Sequence, residues 1–326
     1  MNSNKILLPA IVAIVVAGIL SLMQVMADKP MLIMDRFIQG SGWVEIALIS
    51  IYGGFVTYKM SDQTSRAKWR LISWTLFSVV FFSQLLLGLL VDVRFLTTGD
   101  LHLPIPAMIA AGPIYRFQVS FMPILFISTI IISGPAWCSQ LCYFGAFDAL
   151  AANRKKGRKL LIKHTFKATK FSVLALVIFA AIILRVFRVP ALYTTIIAAS
   201  FGIIGLLVIL IFSSRSGKMI HCTTYCPIGT IVNYTKFINP FRFRISDSCT
   251  SCMRCIPECK YGALDKKAIA YKKPGLTCTM CGDCISVCKP ESLHYKFPGL
   301  GSNSSGKLYL AISIILHALF MALARI

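Results

Sequence analysis

The sequence predicts a mainly α-helical, polytopic membrane protein of about seven spans, with one small α+β, cysteine-rich domain inserted before the last span. Three observations carry this. The 326 residues are 56% hydrophobic and only 14% charged, against roughly a quarter charged in soluble domains, and mean hydropathy is +0.73. Apolar runs of membrane length recur along the chain. Eight of the 12 cysteines crowd between Cys249 and Cys288. This composition excludes a water-soluble globule and disfavours disorder.

A bilayer core about 30 Å thick needs about 20 apolar residues per helix. Runs of that kind lie at 6–27, 43–60, 71–91, 113–134, 171–189, 191–213 and 308–324. Lys5 before the first run and Val25-Met26-Ala27 at its end resemble a secretory signal, but about 22 apolar residues exceed a signal core, so an uncleaved helix is expected. Only Val189, Pro190 and Ala191 mark the join of the fifth and sixth runs, which predicts a tight helical hairpin.

Positive charge alternates with the runs. Lys59, Arg66, Lys68 and Arg70 follow the second, Arg154 to Lys170 follow the fourth, and Arg215 to Lys307 follow the sixth. That places 27 basic residues on one side and seven on the other, and the positive-inside rule makes the amino terminus and the cysteine-rich loop cytoplasmic. A bacterial-type inner membrane is the expected location. The net charge of +22 therefore reads as topology, with lipid as its partner and no nucleic acid. Hydropathy sets three regions: 1–213 as membrane helices, 214–306 as the soluble insert, and 307–326 as a closing helix.

Cys249-Thr-Ser-Cys252-Met-Arg-Cys255-Ile-Pro-Glu-Cys259 and Cys278-Thr-Met-Cys281-Gly-Asp-Cys284-Ile-Ser-Val-Cys288 are two copies of C-x2-C-x2-C-x3-C. Three close thiolates suit three corners of an iron–sulfur cubane, and the fourth ligates the other cluster. One [4Fe–4S] cluster then takes Cys249, Cys252, Cys255 and Cys288; the second takes Cys278, Cys281, Cys284 and Cys259. Structural zinc usually pairs two-cysteine knuckles across a longer gap. Reduced cytosolic thiols also favour metal ligation over disulfides.

The other four cysteines form an internal repeat at a constant offset of 84 residues, Cys138-Ser-Gln-Leu-Cys142 and Cys222-Thr-Thr-Tyr-Cys226, each just past the cytoplasmic end of a span and counted with the membrane helices, the second at 222–226. Cysteines four apart share a helical face, so packing the two copies together gives four thiols at one place. A third metal or iron–sulfur site is expected there; the alternative is that small cysteines merely pack between helix ends.

The 249–288 segment resembles bacterial two-cluster ferredoxins, although Lys260 and Lys289 stand where proline usually follows the fourth cysteine. Most of 113–300, with both C-x3-C elements, both ferredoxin motifs and the closing helix, resembles the NapH/NosR-type membrane polyferredoxins, in their short NapH-like branch. Tyr143 departs from the proline expected after the first C-x3-C, and no large outer flavin domain is present. The resemblance implies single-electron relay between a quinone pool or cytoplasmic donor and a partner reductase or maturation system, with quinol oxidation as the associated activity. Redox proteins on either side of the membrane would be its partners. Competing expectations are a metal-handling or cofactor-assembly factor using the C-x3-C pairs, and a membrane redox sensor.

His317, near the middle of the last run, is a candidate for quinone or proton chemistry, or else a neutral histidine bonded to a neighbouring helix. His102 and Asp100 on an outer loop are candidates for quinone-linked proton uptake. Arg254, Lys260 and Lys289 stand near the clusters, where positive charge favours the reduced state. The remaining histidines lie at helix ends or in loops and imply no haem, and no flavin or nucleotide fingerprint is found.

Overall fold

The computed structural model describes residues 4–96, 103–118, 121–154 and 166–323. His102, Asp100 and most of the basic stretch after Arg154 lie outside the described residues. Six described helices are long and apolar enough to cross a membrane, as in a multi-pass membrane protein. The chain packs as two compact units, Met1–His102 with Gly299–Ile326, and Leu103–Pro298. This grouping follows packing, whereas boundaries at 213 and 306 follow composition.

The first unit contains α1 (Asn4–Met26), α2 (Gly42–Ser61), α3 (Arg66–Leu90) and, from the chain's end, the helix Ser302–Leu323. Val12, Val16, Leu20, Val56, Ile314 and Ala318 form its core. Helices associate closely in lipid where small residues meet: a Cβ on Gly54 would lie 3.2 Å from the Pro9 carbonyl oxygen. The run at 43–60 forms α2 as expected, but α2 is not among the six membrane-length apolar helices. Glu45, Ser50, Thr57 and Lys59, with Gly53 and Gly54, dilute its hydropathy. His317 is buried and lies 2.9 Å through Nε2 from the Tyr52 hydroxyl, with its ring 5.5 Å from that of Phe77. This is a helix-to-helix polar contact in an apolar core.

The second unit holds α4 (Met108–Arg116), α5 (Phe121–Ser133), α6 (Tyr143–Asn153), α7 (Phe166–Val186), α8 (Ala191–Val208) and α9 (Pro227–Thr235). Two findings correct the expected spans. The run drawn at 113–134 is split: α4 ends in left-handed Phe117, where Arg116 and Gln118 interrupt the apolar sequence. The span instead covers Met122–Leu141, continuing past Gly134–Ala136 into a π-helical turn, Trp137–Leu141. Pro135 has no N–H to offer the Ile131 carbonyl, and Asn239 Nδ2 donates to it instead at 2.7 Å.

The second correction concerns α7 and α8. They join through a short turn but do not pack on each other along their length, because Ile105 and Ala107 pack with Val177, Ala198 and Phe201 between them. Gly202 allows this approach, since a Cβ there would meet Ile105 Cδ1 at 2.8 Å. Tyr115 then donates its hydroxyl to the Val189 carbonyl at 2.7 Å, tying α4 to the turn.

The cysteine-rich segment closes on a two-stranded antiparallel sheet, β1 (Arg242–Ile245) with β2 (Leu293–Lys296), in the register Phe243↔Tyr295 and Ile245↔Leu293. Those four side chains are buried, as the two-residue period of a strand requires. The closing helix of the first unit is α10 (Ser302–Leu323).

Candidate iron–sulfur centres

The two C-x2-C-x2-C-x3-C loops have matching backbones. Ser251 and Met280, at the same place in each motif, have φ of 53° and 54°; Met253 and Gly282, two residues later, have φ of 59° and 83°. Three of these four are not glycine, and a left-handed side-chain residue costs of order 1 kcal/mol. Alternating right- and left-handed residues turn successive N–H groups inward and make an anion-binding concavity. A thiolate-ligated cubane is such an anion.

Each fourth cysteine ends a short helical turn: Cys259 follows Cys255–Glu258, and Cys288 follows Asp283–Val287. The turns carry these residues away from their own loops. Cys249, Cys252, Cys255 and Cys288 line one cavity; Cys259, Cys278, Cys281 and Cys284 line another. These are the two crossed sets of four that the motif spacing predicts. Four sulfur donors around a concave, N–H-lined space suit a [4Fe–4S] cluster, which would supply one-electron redox chemistry when bound.

The two sets differ in exposure. Cys252 is exposed, and the N–H of Arg254 lowers its thiol pKa. Burial instead pushes the Cys278 thiol up to about 11, opposed by the nearby Lys236 charge, and raises Cys284 well above its ordinary value. Buried thiols of this kind become thiolates by binding metal and releasing protons. Lys218 Nζ donates to the Cys259 carbonyl at 2.6 Å, and Lys236 Nζ to the Cys278 carbonyl at 3.0 Å. Two ammonium groups thus sit beside the second set, favouring a more negative, reduced cluster. Sequence reasoning named Arg254, Lys260 and Lys289 in this role and missed Lys218 and Lys236.

The C-x3-C copies are also built alike. Cys138 lies in the π-helical turn Trp137–Leu141 and Cys222 in its counterpart His221–Tyr225. In each, the second cysteine's N–H reaches back five residues, Cys142 to the Trp137 carbonyl at 2.9 Å and Cys226 to the His221 carbonyl at 2.8 Å. Cys142 and Cys226 then stand immediately before α6 and α9 with extended ψ of 115° and 118°. Their sulfurs therefore meet the free N–H groups of a helix start, which favour thiolate; the Gly229 N–H lies 3.5 Å from Cys226 Sγ. Burial nevertheless pushes the Cys226 thiol up to about 11. Glycine is required at 229, where a Cβ would lie 2.5 Å from the Cys222 carbonyl oxygen. The four sulfurs are close enough for Cys222 to feel Cys226, Cys142 and Cys138 electrostatically.

Besides the Lys218 bond, hydrogen bonds from three further residues join this cysteine group to the crossed set on Cys259 and Cys278. Tyr261, two residues after Cys259, donates its hydroxyl to the Cys138 carbonyl at 2.6 Å. Ser139 Oγ donates to the Thr279 carbonyl at 3.4 Å, and the Met219 N–H donates to the Lys260 carbonyl at 2.9 Å.

Two residues beside Cys222 were absent from the sequence-predicted site. The Asp148 carboxylate on α6 accepts the Cys222 N–H at 2.9 Å. Burial pushes its pKa up to about 6, opposed by hydrogen bonds from Ser213 and Cys222. Burial pushes His221 down to about 4. At neutral pH the pair is thus mainly carboxylate and neutral imidazole. The repeat held a signal for both: at the 84-residue offset His221 aligns with Trp137, and Asp148 with Val232, so each polar donor stands opposite an apolar residue in the other copy.

Two segments, 117–160 and 199–242, match the family described as 4Fe-4S binding domain. Each contains one C-x3-C pair, and neither reaches the eight cysteines from Cys249 to Cys288. No curated protein and no solved structure matches the chain. With the six apolar helices, the two matches fit a ferredoxin-type membrane protein that binds [4Fe–4S] clusters, and they support an iron–sulfur electron-transfer role.

Proposed function

We propose that the chain relays single electrons through three iron–sulfur centres in series. The first is held by Cys249, Cys252, Cys255 and Cys288, the second by Cys259, Cys278, Cys281 and Cys284, and the third by Cys138, Cys142, Cys222 and Cys226. The observation that carries this reading is the buried Tyr261-to-Cys138 hydrogen bond, which couples the fourth-ligand loop of the second centre to the first C-x3-C pair. The family matches over both C-x3-C pairs support iron–sulfur chemistry at the third centre.

The ends of the series suit different partners. Exposed Cys252 gives a soluble redox protein access at the first centre. The third stands at the ends of membrane helices, where a lipid-soluble quinone or quinol can approach. The 27-to-7 charge bias supports a cytoplasmic ferredoxin-like domain in a bacterial-type inner membrane, and an extracytoplasmic reductase or maturation partner would exchange electrons on the other side. The chain's own residues hold the centres: left-handed turns aim N–H groups at the clusters, and Lys218 and Lys236 supply charge beside the second.

The test is paramagnetic resonance on anaerobically purified protein before and after adding quinol. Quinol is expected to reduce at least one centre. If dithionite reduces the centres and quinol reduces none, direct exchange with quinol is excluded.

A further inference from the structure

Besides the four cysteines of the C-x3-C pairs, which alone match the four ligands a cubane takes, two further donor side chains stand beside Cys222. These are Asp148 and His221. One ligand atom each from Asp148, His221 and Cys222 lies within 4.8 Å of both others. Asp148 is 0% and His221 4% exposed. Asp148 Oδ1 and His221 Nδ1 are buried with no hydrogen-bond partner among the described residues. An unpartnered buried carboxylate oxygen and imidazole nitrogen are costly. Neither has a polar counterpart in the other copy of the repeat: Trp137, aligned with His221, packs its ring 5.0 Å from Phe126, and Val232, aligned with Asp148, is buried.

We propose that Asp148, His221 and Cys222 form a binding site for one divalent transition-metal ion of the zinc or ferrous class. Mixed oxygen, nitrogen and sulfur donors select such borderline ions over calcium or magnesium. A carboxylate and a thiolate cancel the ion's two positive charges, which removes most of the cost of burying it. Binding takes the proton from the Cys222 thiol and releases it to solvent. The Cys222 N–H to Asp148 bond, together with Ser213 Oγ accepting the Ile220 N–H at 3.0 Å, orients the donors as an outer shell does in known metal sites. The site needs only these three residues, so it stands whether or not the third iron–sulfur centre forms; where both are loaded, Cys222 is their shared thiolate.

The test uses the full chain, purified anaerobically with its clusters, incubated with one equivalent of zinc chloride, desalted and examined at the zinc X-ray absorption edge. The expected result is about one retained zinc with one sulfur near 2.3 Å and nitrogen or oxygen near 2.0 Å. Zinc that washes away, or a shell of sulfur alone, overturns the proposal. Asp148→Asn keeps an acceptor for the Cys222 N–H, and His221→Phe keeps ring packing against Phe144 and Tyr225. Each is expected to cut zinc retention at least about tenfold with iron and sulfide counts unchanged; retention at the unsubstituted level also overturns it. Should a variant lose its iron as well, the absorption spectrum of the unsubstituted protein decides. Iron and sulfide counts read the relay independently, so failure of either reading is separately visible.

Discussion

Replacing Cys138, Cys142, Cys222 and Cys226 together by serine leaves about eight irons per chain on the remaining motifs and drops reduction of those clusters by quinol to the rate seen without quinol. The reason is position. One C-x3-C pair stands where a membrane helix ends in a π-helical turn and the other in a like turn just past the end of a second membrane helix, and Tyr261 ties Cys138 to the loop of the second crossed set. Serine is nearly isosteric with cysteine but a poor ligand for iron, so the helix starts at α6 and α9 are kept while the centre is lost. The check is stopped-flow absorbance of cluster reduction by quinol, with dithionite as the control donor. Quinol reduction at the unsubstituted rate removes the third centre from the electron path. A variant that still cycles its ferredoxin-like clusters but leaves a client enzyme without its metal favours metal handling over relay.

Cys259→Ser has the second large effect, and it falls on the cluster of the opposite motif. Although Cys259 belongs by sequence to the motif starting at Cys249, it lines the cavity of Cys278, Cys281 and Cys284. The substitution is therefore expected to remove about four irons and the resonance of that buried centre, leaving the centre on Cys249, Cys252, Cys255 and Cys288 intact. Cys288→Ser is expected to do the reverse. The Cys259 change also loosens the joint that follows it, because a lost cluster no longer ties this segment to Cys278, Cys281 and Cys284, and the Ala263 N–H loses its contact with Cys259 Sγ at 3.2 Å. Binding free energy in small metal sites is of order 10 kcal/mol, comparable to a whole domain's stability, so faster proteolysis around Tyr261 accompanies the loss. If Cys259→Ser instead removes the centre on its own motif, the crossed arrangement is wrong.

What the sequence revealed follows from which forces act locally. Cysteine spacing is local chemistry, and short turns after Cys255 and Asp283 are enough to send Cys259 and Cys288 across. The 84-residue repeat was equally legible and reappears as paired π-turns. Hydropathy counts residues but does not see the path of the chain, so it ran the fourth span through Phe117, whose left-handed backbone ends α4. It also drew the join of α7 and α8 as a closed hairpin, although Ile105 and Ala107 lie between the arms. Lys218 and Lys236 were counted as topology charges, because only folding brings their ammonium groups to the Cys259 and Cys278 carbonyls. Asp148 and His221 lie 73 residues apart and meet only through the packing of the two repeats. Their one sequence signal was the broken symmetry against Val232 and Trp137.

Total iron and acid-labile sulfide per chain, counted on anaerobically purified protein, bear most directly on twin cubanes held by the eight carboxyl-terminal cysteines. At least about eight irons and eight sulfides are expected, rising to about twelve of each with the third centre filled. Stoichiometric zinc with no inorganic sulfide would contradict the account.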